Sequence, residues 1–355
     1  MSDDAETMVI HFNALVHGLK SNLLSNAAFD EMLQLPTVER LTESLLESSY
    51  RKEMAAALTR YHGADAVEDA VQRNRATEVA MLVRRAGGEF GELVEIFLSR
   101  LDIGAVKYLI RARHHGLHAD EITAGGNPGV SMTLPVFQDL ARAESIEELV
   151  TQLIAWNSTL CRPLRAALAE YREKNDPAVL EDALDMNYFS KSAKKLQSLE
   201  SDDAKSLSWY LRVEIDRINL RLVFEGLQYG TPRENVQGRI VRGGTLSSQV
   251  LDAMIAAPDA AAAMELIGQT RYQALSEQLY QLLQTKRFAP VERMFDRLIS
   301  AQLRRLALRD PFGIGVVMDY VWLKFNEGVN LRLIARGLAG SVPMGRVRDE
   351  LFRQN

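Results

Sequence analysis

FNEGVNLRLIARGLAG, residues 325–340, has a close counterpart in EIDRINLRLVFEGLQYG, residues 214–230, and a more divergent one in LDIGAVKYLIRARHHG, residues 101–116. In register, Asp102, Asp216 and Glu327 form an acidic column, and Ala105, Asn219 and Asn330 form the next. Lys107, Arg221 and Arg332 make a cationic column, Leu109, Val223 and Ile334 an apolar one, and Arg111, Glu225 and Arg336 close the set. The acids stand 114 and then 111 residues apart. A recurrence at near-constant period marks a repeat architecture.

Each copy reads as a helix, rich in Leu, Arg and Ile with glycine kept for its end. Gly230 and Gly340 stand where a left-handed C-cap is expected, and Pro232 and Pro343 follow soon after. At about 100° per residue, the acid and the Asn, three apart, share one face. The two cationic positions, four apart, share a face on the opposite side. A cation is therefore badly placed to pair with its own acid, but it can reach a carboxylate on a neighbouring helix, for instance in the next repeat. A single copy reads as solvated surface charge. The recurrence makes Asp102, Lys107, Arg111, Asp216, Asn219, Arg221, Glu327, Asn330, Arg332 and Arg336 candidates for partner binding or for contacts between lobes.

Outward from these stretches, apolar residues recur at helical spacing from Met8 to Ser25, and two short helices flank Pro36. One amphipathic helix is predicted over Glu53–Ala86, broken by Gly87 and Gly88, and another over Phe90–Arg113. The glycine-rich turns AGGNPG, residues 124–129, and RGGT, residues 242–245, each precede a pair of short helices. Pro36–Tyr50 and Pro258–Tyr272 match in length and both end on tyrosine. No alternation of β-branched residues calls for a sheet. The expected repeats are 20–116, 125–230 and 243–340, within lobes 1–118, 119–232 and 233–355. Segments 176–203 and 285–310 lie between these parts; the first holds a basic block, KSAKKL, and then an acidic one, SLESDDAKS, which read as a solvated helix face and helix start, with a contact point for a charged partner as the functional alternative. RVRDELFRQN closes the chain as a short helix with Val347 and Leu351 on one side. Leftover helices at the two termini could pack together and close the lobes into a ring.

Composition bounds the function. The 355 residues are 47% hydrophobic, enough for a sizeable core, and the net charge of −5 with mixed signs argues against a general nucleic-acid binder. The single cysteine, Cys161, fits a reducing compartment and reads as a small core residue. The acidic opening MSDDAET lacks the order of a signal peptide. The most apolar run, GIGVVMDYVWLKF, is interrupted by Asp319 and Lys324, short of what a membrane span needs. The expectation is a soluble protein that reaches a membrane only through partners.

Catalytic signatures are weak. His114, His115 and His118 could bind a metal, but no carboxylate or cysteine at zinc spacing accompanies them, so three imidazoles on a solvated helix end is the simpler reading. AGGNPG lacks the Lys-Ser/Thr of a phosphate loop. The acidic pairs Glu181–Asp182 and Asp202–Asp203 read as exposed. Trp209 and Tyr320, in register 111 residues apart, and Trp322 read as packing anchors.

NLRLIARGLAGSVP, its two upstream echoes, and the opening NALVHGLKSNLLS with LPTVERLTESLLESSY resemble the C subunit of prokaryotic V/A-type ATPases, related to the d subunit of the eukaryotic vacuolar ATPase. The resemblance covers essentially the whole chain; Gly104 and Ala105 depart from the polar pair usual in that family. It implies an all-α fold of three similar lobes in a pseudo-threefold funnel. It implies a non-catalytic central-stalk protein without cofactor or metal, on the cytoplasmic side. The partners it implies are shaft subunits D and F and the membrane proteolipid ring. A helical scaffold unrelated to rotary motors, and an all-helical enzyme using the histidines, are the alternatives.

Overall fold

The computed structural model describes residues 3–126, 128–275, 277, 281 and 289–353, and among these every regular element is helical. Met1, Ser2, Asn127, residues 285–288, Gln354 and Asn355, parts of segments read above, lie outside the described residues. The three motif stretches form the C-terminal halves of long helices, Gly88–His114, Asp202–Tyr229 and Ile314–Ala339. A short helix follows each: Ala119–Gly125, Arg233–Arg239 and Met344–Glu350.

The helix ends differ from expectation in detail. Gly230 is left-handed, with φ 66°, but Gly340 has φ −90° and the left-handed residue there is Ser341, with φ 52°. The same reversal is achieved one residue later, as Val342 N–H bonds to Gly337 O. Pro232 and Pro343 are the N-cap residues of the short helices rather than mere stops, and a missing N–H there forfeits no helical bond. The expected helix over 53–86 is two, Arg51–Ala57 and Gly63–Arg85, because the chain turns through extended His62 and left-handed Gly63. Segment 176–203 does carry a helix, Ala178–Gln197, and the start of another at Asp202, segment 285–310 carries Ala289–Arg309, and Ala119–Gly125 runs into the AGGNPG turn.

The chain forms two compact units, Met1–Leu180 with Leu306–Asn355, and Glu181–Arg305. In the first, the beginning and the end of the sequence build one core. Phe29, Leu41, Leu45, Met54, Val67 and Val71 pack with Leu331, Ile334, Val347 and Leu351. Each such side chain contributes about 1.5–3 kcal/mol by leaving water. Helix Ile314–Ala339 is buried on nearly all sides. A Cβ on its Gly328 would stand 2.9 Å from Val71 Cγ1, so glycine lets helix Gly63–Arg85 approach closely. Polar contacts reinforce this closure. Arg353 Nη2 lies 2.7 Å from Asp30 Oδ1, Asn13 Nδ2 donates to Phe312 O at 2.5 Å, and Lys20 pairs with buried Asp319. Helices Asp3–Lys20 and Met344–Glu350 thus both pack against the third motif helix.

In the second unit, helix Asp202–Tyr229 is capped by the Ser201 hydroxyl, which accepts from Ala204 N–H. It buries Leu207, Tyr210, Leu211, Leu220 and Phe224. Short helices Ser248–Ala256 and Ala260–Gly268 add Met254 and Ile267, and Tyr272 and Phe295 place their rings 5.4 Å apart.

Candidate functional site

The acidic column is buried, against the reading of any one copy as surface charge. An ionised carboxylate only accepts hydrogen bonds, and burial requires that its lone pairs be met. Asp102 accepts from the N–H of Val130 and from Ser131 N–H at 2.9 Å, and the Ser131 hydroxyl donates to its other oxygen at 2.5 Å. Asp216 accepts from Thr245 N–H at 2.8 Å, Leu246 N–H at 3.1 Å, the Thr245 hydroxyl, and the Tyr272 hydroxyl at 2.7 Å. Glu327 accepts from Leu24 N–H at 2.5 Å, the Tyr50 hydroxyl at 2.6 Å and Lys324 Nζ at 3.0 Å. The first two acids thus hold the segment that opens the next repeat, and the third holds the segment that opens the first.

The glycine-rich turns are cradles laid on these carboxylates. A Cβ on Gly129 would lie 2.2 Å from Asp102 Oδ1, and one on Gly244 2.1 Å from Asp216 Oδ1, so only glycine admits the approach. At the third site the acid is Glu, and its additional methylene extends its reach to Leu24. Burial, followed by the Glu327 charge, pushes the Tyr50 hydroxyl well above its ordinary range, and burial followed by Asp216 does the same to Tyr272. Both stay protonated donors. Burial also raises Asp102, opposed by its bonds to Ser131 and Val130.

The asparagine column clamps backbone. Asn219 Nδ2 donates to Val241 O at 2.8 Å and its Oδ1 accepts from Val241 N–H at 2.9 Å. Asn330 does the same to Phe352, both bonds 2.8 Å long. Each clamp holds the chain just beyond the short helix that follows the motif. Ala105 has no such group. The short helices also need room: a Cβ on Gly226 would meet Val236 Cγ2 at 2.6 Å, and one on Gly337 would meet Val347 Cγ2 at 2.7 Å.

The cations reach carboxylates on other helices. Arg332 Nη2 lies 2.8 Å from Glu68 Oε1 and donates to Gly125 O at 3.2 Å. Arg336 Nη2 lies 2.6 Å from Glu68 Oε2 and 2.9 Å from Asp65 Oδ1. Arg221 is 2.8 Å from Glu225 of its own helix and 2.9 Å from Glu292. Lys107 is half-buried and Arg111 exposed on the first motif helix.

Sequence reasoning missed a buried polar cluster on the third motif helix. Lys324 Nζ sits 3.3 Å from Glu78 Oε2, beside its bond to Glu327 and 4.5 Å from the centre of the Tyr50 ring, while the Tyr320 hydroxyl donates to Glu78. The signal was Lys324, with Asp319, inside a mostly apolar run. Asp182, read as exposed, is half-buried and paired with Arg239 at 2.5 Å.

The remaining candidates are plain. His114 Nδ1 lies 3.1 Å from the Tyr171 hydroxyl, whereas His115 and His118 are exposed, and among the described residues no group of three or more His, Cys, Asp or Glu could hold a metal ion. Burial pushes the Cys161 thiol up to about 12. No helix of the described residues is long and apolar enough to cross a membrane.

Comparison with known proteins is consistent along the chain. The model of the family described as ATP synthase (C/AC39) subunit matches residues 12–350. The C subunit of the V-type ATP synthase of Thermus thermophilus is 29% identical over 351 residues, covering 99% of each chain. The C subunit of the A-type ATP synthase of Methanococcoides burtonii is 25% identical over 350 residues, covering 96% of this chain and 93% of its own. That of Haloquadratum walsbyi is 26% identical over 344 residues, covering 96% and 97%.

Proposed function

The chain belongs to the ATP synthase (C/AC39) subunit family, and on that premise we propose that it is a non-catalytic rotor subunit of a V/A-type rotary ATPase. It couples the central shaft, subunits D and F, to the membrane proteolipid ring, from the cytoplasmic face. Its three lobes, 1–118, 119–232 and 233–355, surround a socket for the shaft. The observation that carries this reading is the bracing of each motif helix. A buried carboxylate ties each of them to a segment that opens a repeat, and two carry an asparagine clamp besides.

A part that transmits torque must deform little, and close-packed helices with satisfied buried polar groups resist deformation. It requires no reacting group. The buried carboxylates are occupied by backbone amides and hydroxyls, which suits braces better than acids or bases awaiting a substrate. The test is an ATPase complex prepared without this chain. It should hydrolyse ATP but fail to move ions, and adding the chain back should restore transport. Ion transport undiminished without the chain would refute the proposal.

A further inference from the structure

An open cleft of about 530 Å³ in the Glu181–Arg305 unit is lined by Lys205, Trp209, Arg212 and Arg271, with Leu196 and Leu199 among its apolar walls. Three cations face it and, among the described residues, no carboxylate lines it, although the chain as a whole carries net charge −5. The Arg271 guanidinium lies 5.9 Å from the centres of both the Trp209 and Tyr272 rings, which orients it. Among the described residues no carboxylate pairs with Arg271 or Arg212; Arg212 donates to Gly244 O at 3.2 Å. Among those residues Lys205 meets only Asp202, at 2.7 Å, in a pair so exposed that it contributes little.

We propose that this cleft receives an acidic, amphipathic segment of a protein partner. Glutamate or aspartate side chains of that segment meet Lys205, Arg212 and Arg271, and its apolar side chains lie against Leu196, Leu199 and Trp209. The combination of apolar walls with two guanidinium groups that meet no carboxylate among the described residues selects such a segment over a small inorganic anion, which would leave the apolar walls wet. Complementary charge of this kind also speeds encounter and excludes wrong partners. The proposal deepens the rotor reading, since it gives the chain a docking point for another protein of the assembly. It is nevertheless tested on the chain alone.

The experiment measures anisotropy of a fluorescein-labelled helical peptide of Leu, Ala and Glu on the full chain. Binding should weaken as salt rises. It should fall at least tenfold with glutamine replacing the glutamates, and at least tenfold in the Arg212→Gln/Arg271→Gln variant, whose fold is checked by circular dichroism. Arg271→Glu alone, which leaves the Arg212–Gly244 contact in place, should show the same direction of loss. Equal binding by the glutamine peptide, equal binding by the variants, or displacement of the peptide by millimolar inorganic pyrophosphate as effectively as by unlabelled peptide would overturn the proposal. If the cleft binds the peptide but the chain proves dispensable for ion transport, the rotor reading fails and the cleft assignment stands.

Discussion

Replacing Asn219 by alanine removes both bonds of a fully buried clamp, at 2.8 and 2.9 Å, and leaves the Val241 N–H and C=O without partners. Each buried backbone group left unsatisfied costs about 1–3 kcal/mol. The higher helix propensity of alanine returns at most about 0.7 kcal/mol. The expected loss is about 1–5 kcal/mol, combining those two estimates for two orphaned groups. Asn219→Asp should cost at least as much at neutral pH, because it keeps the acceptor for Val241 N–H but turns a carboxylate oxygen toward Val241 O. The assay is urea unfolding, with hydrogen exchange at the Val241 amide as a local readout independent of whether the two units unfold together. A loss below about 0.5 kcal/mol, far under the cost of two orphaned groups, with Val241 protection unchanged would refute the clamp as a stabilising device.

Gly226→Ala and Gly337→Ala should each cost about 1–3 kcal/mol by overpacking, since the new methyl would stand 2.6–2.7 Å from Val236 or Val347. Adding Val236→Ala to Gly226→Ala should recover part of that loss in the same unfolding assay. Burial raises Glu78 above the ordinary carboxylate value, opposed by Lys324 and the Tyr320 hydroxyl. The folded chain then holds this proton where the unfolded chain has released it, so stability falls as pH rises from the ordinary 4.5 toward the raised folded value. Glu78→Gln should flatten that slope, and identical slopes in variant and wild type would contradict it. Cys161, buried and with its thiol pushed up to about 12, should resist iodoacetamide in the native chain and react promptly in urea.

The all-helical class and the reach of Arg221, Arg332 and Arg336 to carboxylates on other helices were legible because they depend on spacing and periodicity alone. Asp216 and Asn219, three apart, were correctly put on one face. What periodicity could not say is that this face is buried, or that its polar groups are met by backbone amides together with hydroxyls from distant segments. That information lies about 27 residues downstream, in the glycines at 129 and 244 that make room for a carboxylate. The shared tyrosine of the Pro36–Tyr50 and Pro258–Tyr272 segments was visible as a repeated aromatic. Its hydroxyl proved to be the informative part, since Tyr50 and Tyr272 both donate to the acidic column. The Lys324–Glu78 contact was hidden because its halves lie in helices far apart in sequence.

Buried carboxylates hold the backbone of the segments that open the repeats. Hydrogen exchange at the amides of Ser131, Thr245, Leu246 and Leu24, all outside helices, reads those bonds individually. The account predicts exchange as slow as that of interior helical amides in the motif helices. Exchange of these amides at the rate of unprotected loops would contradict it.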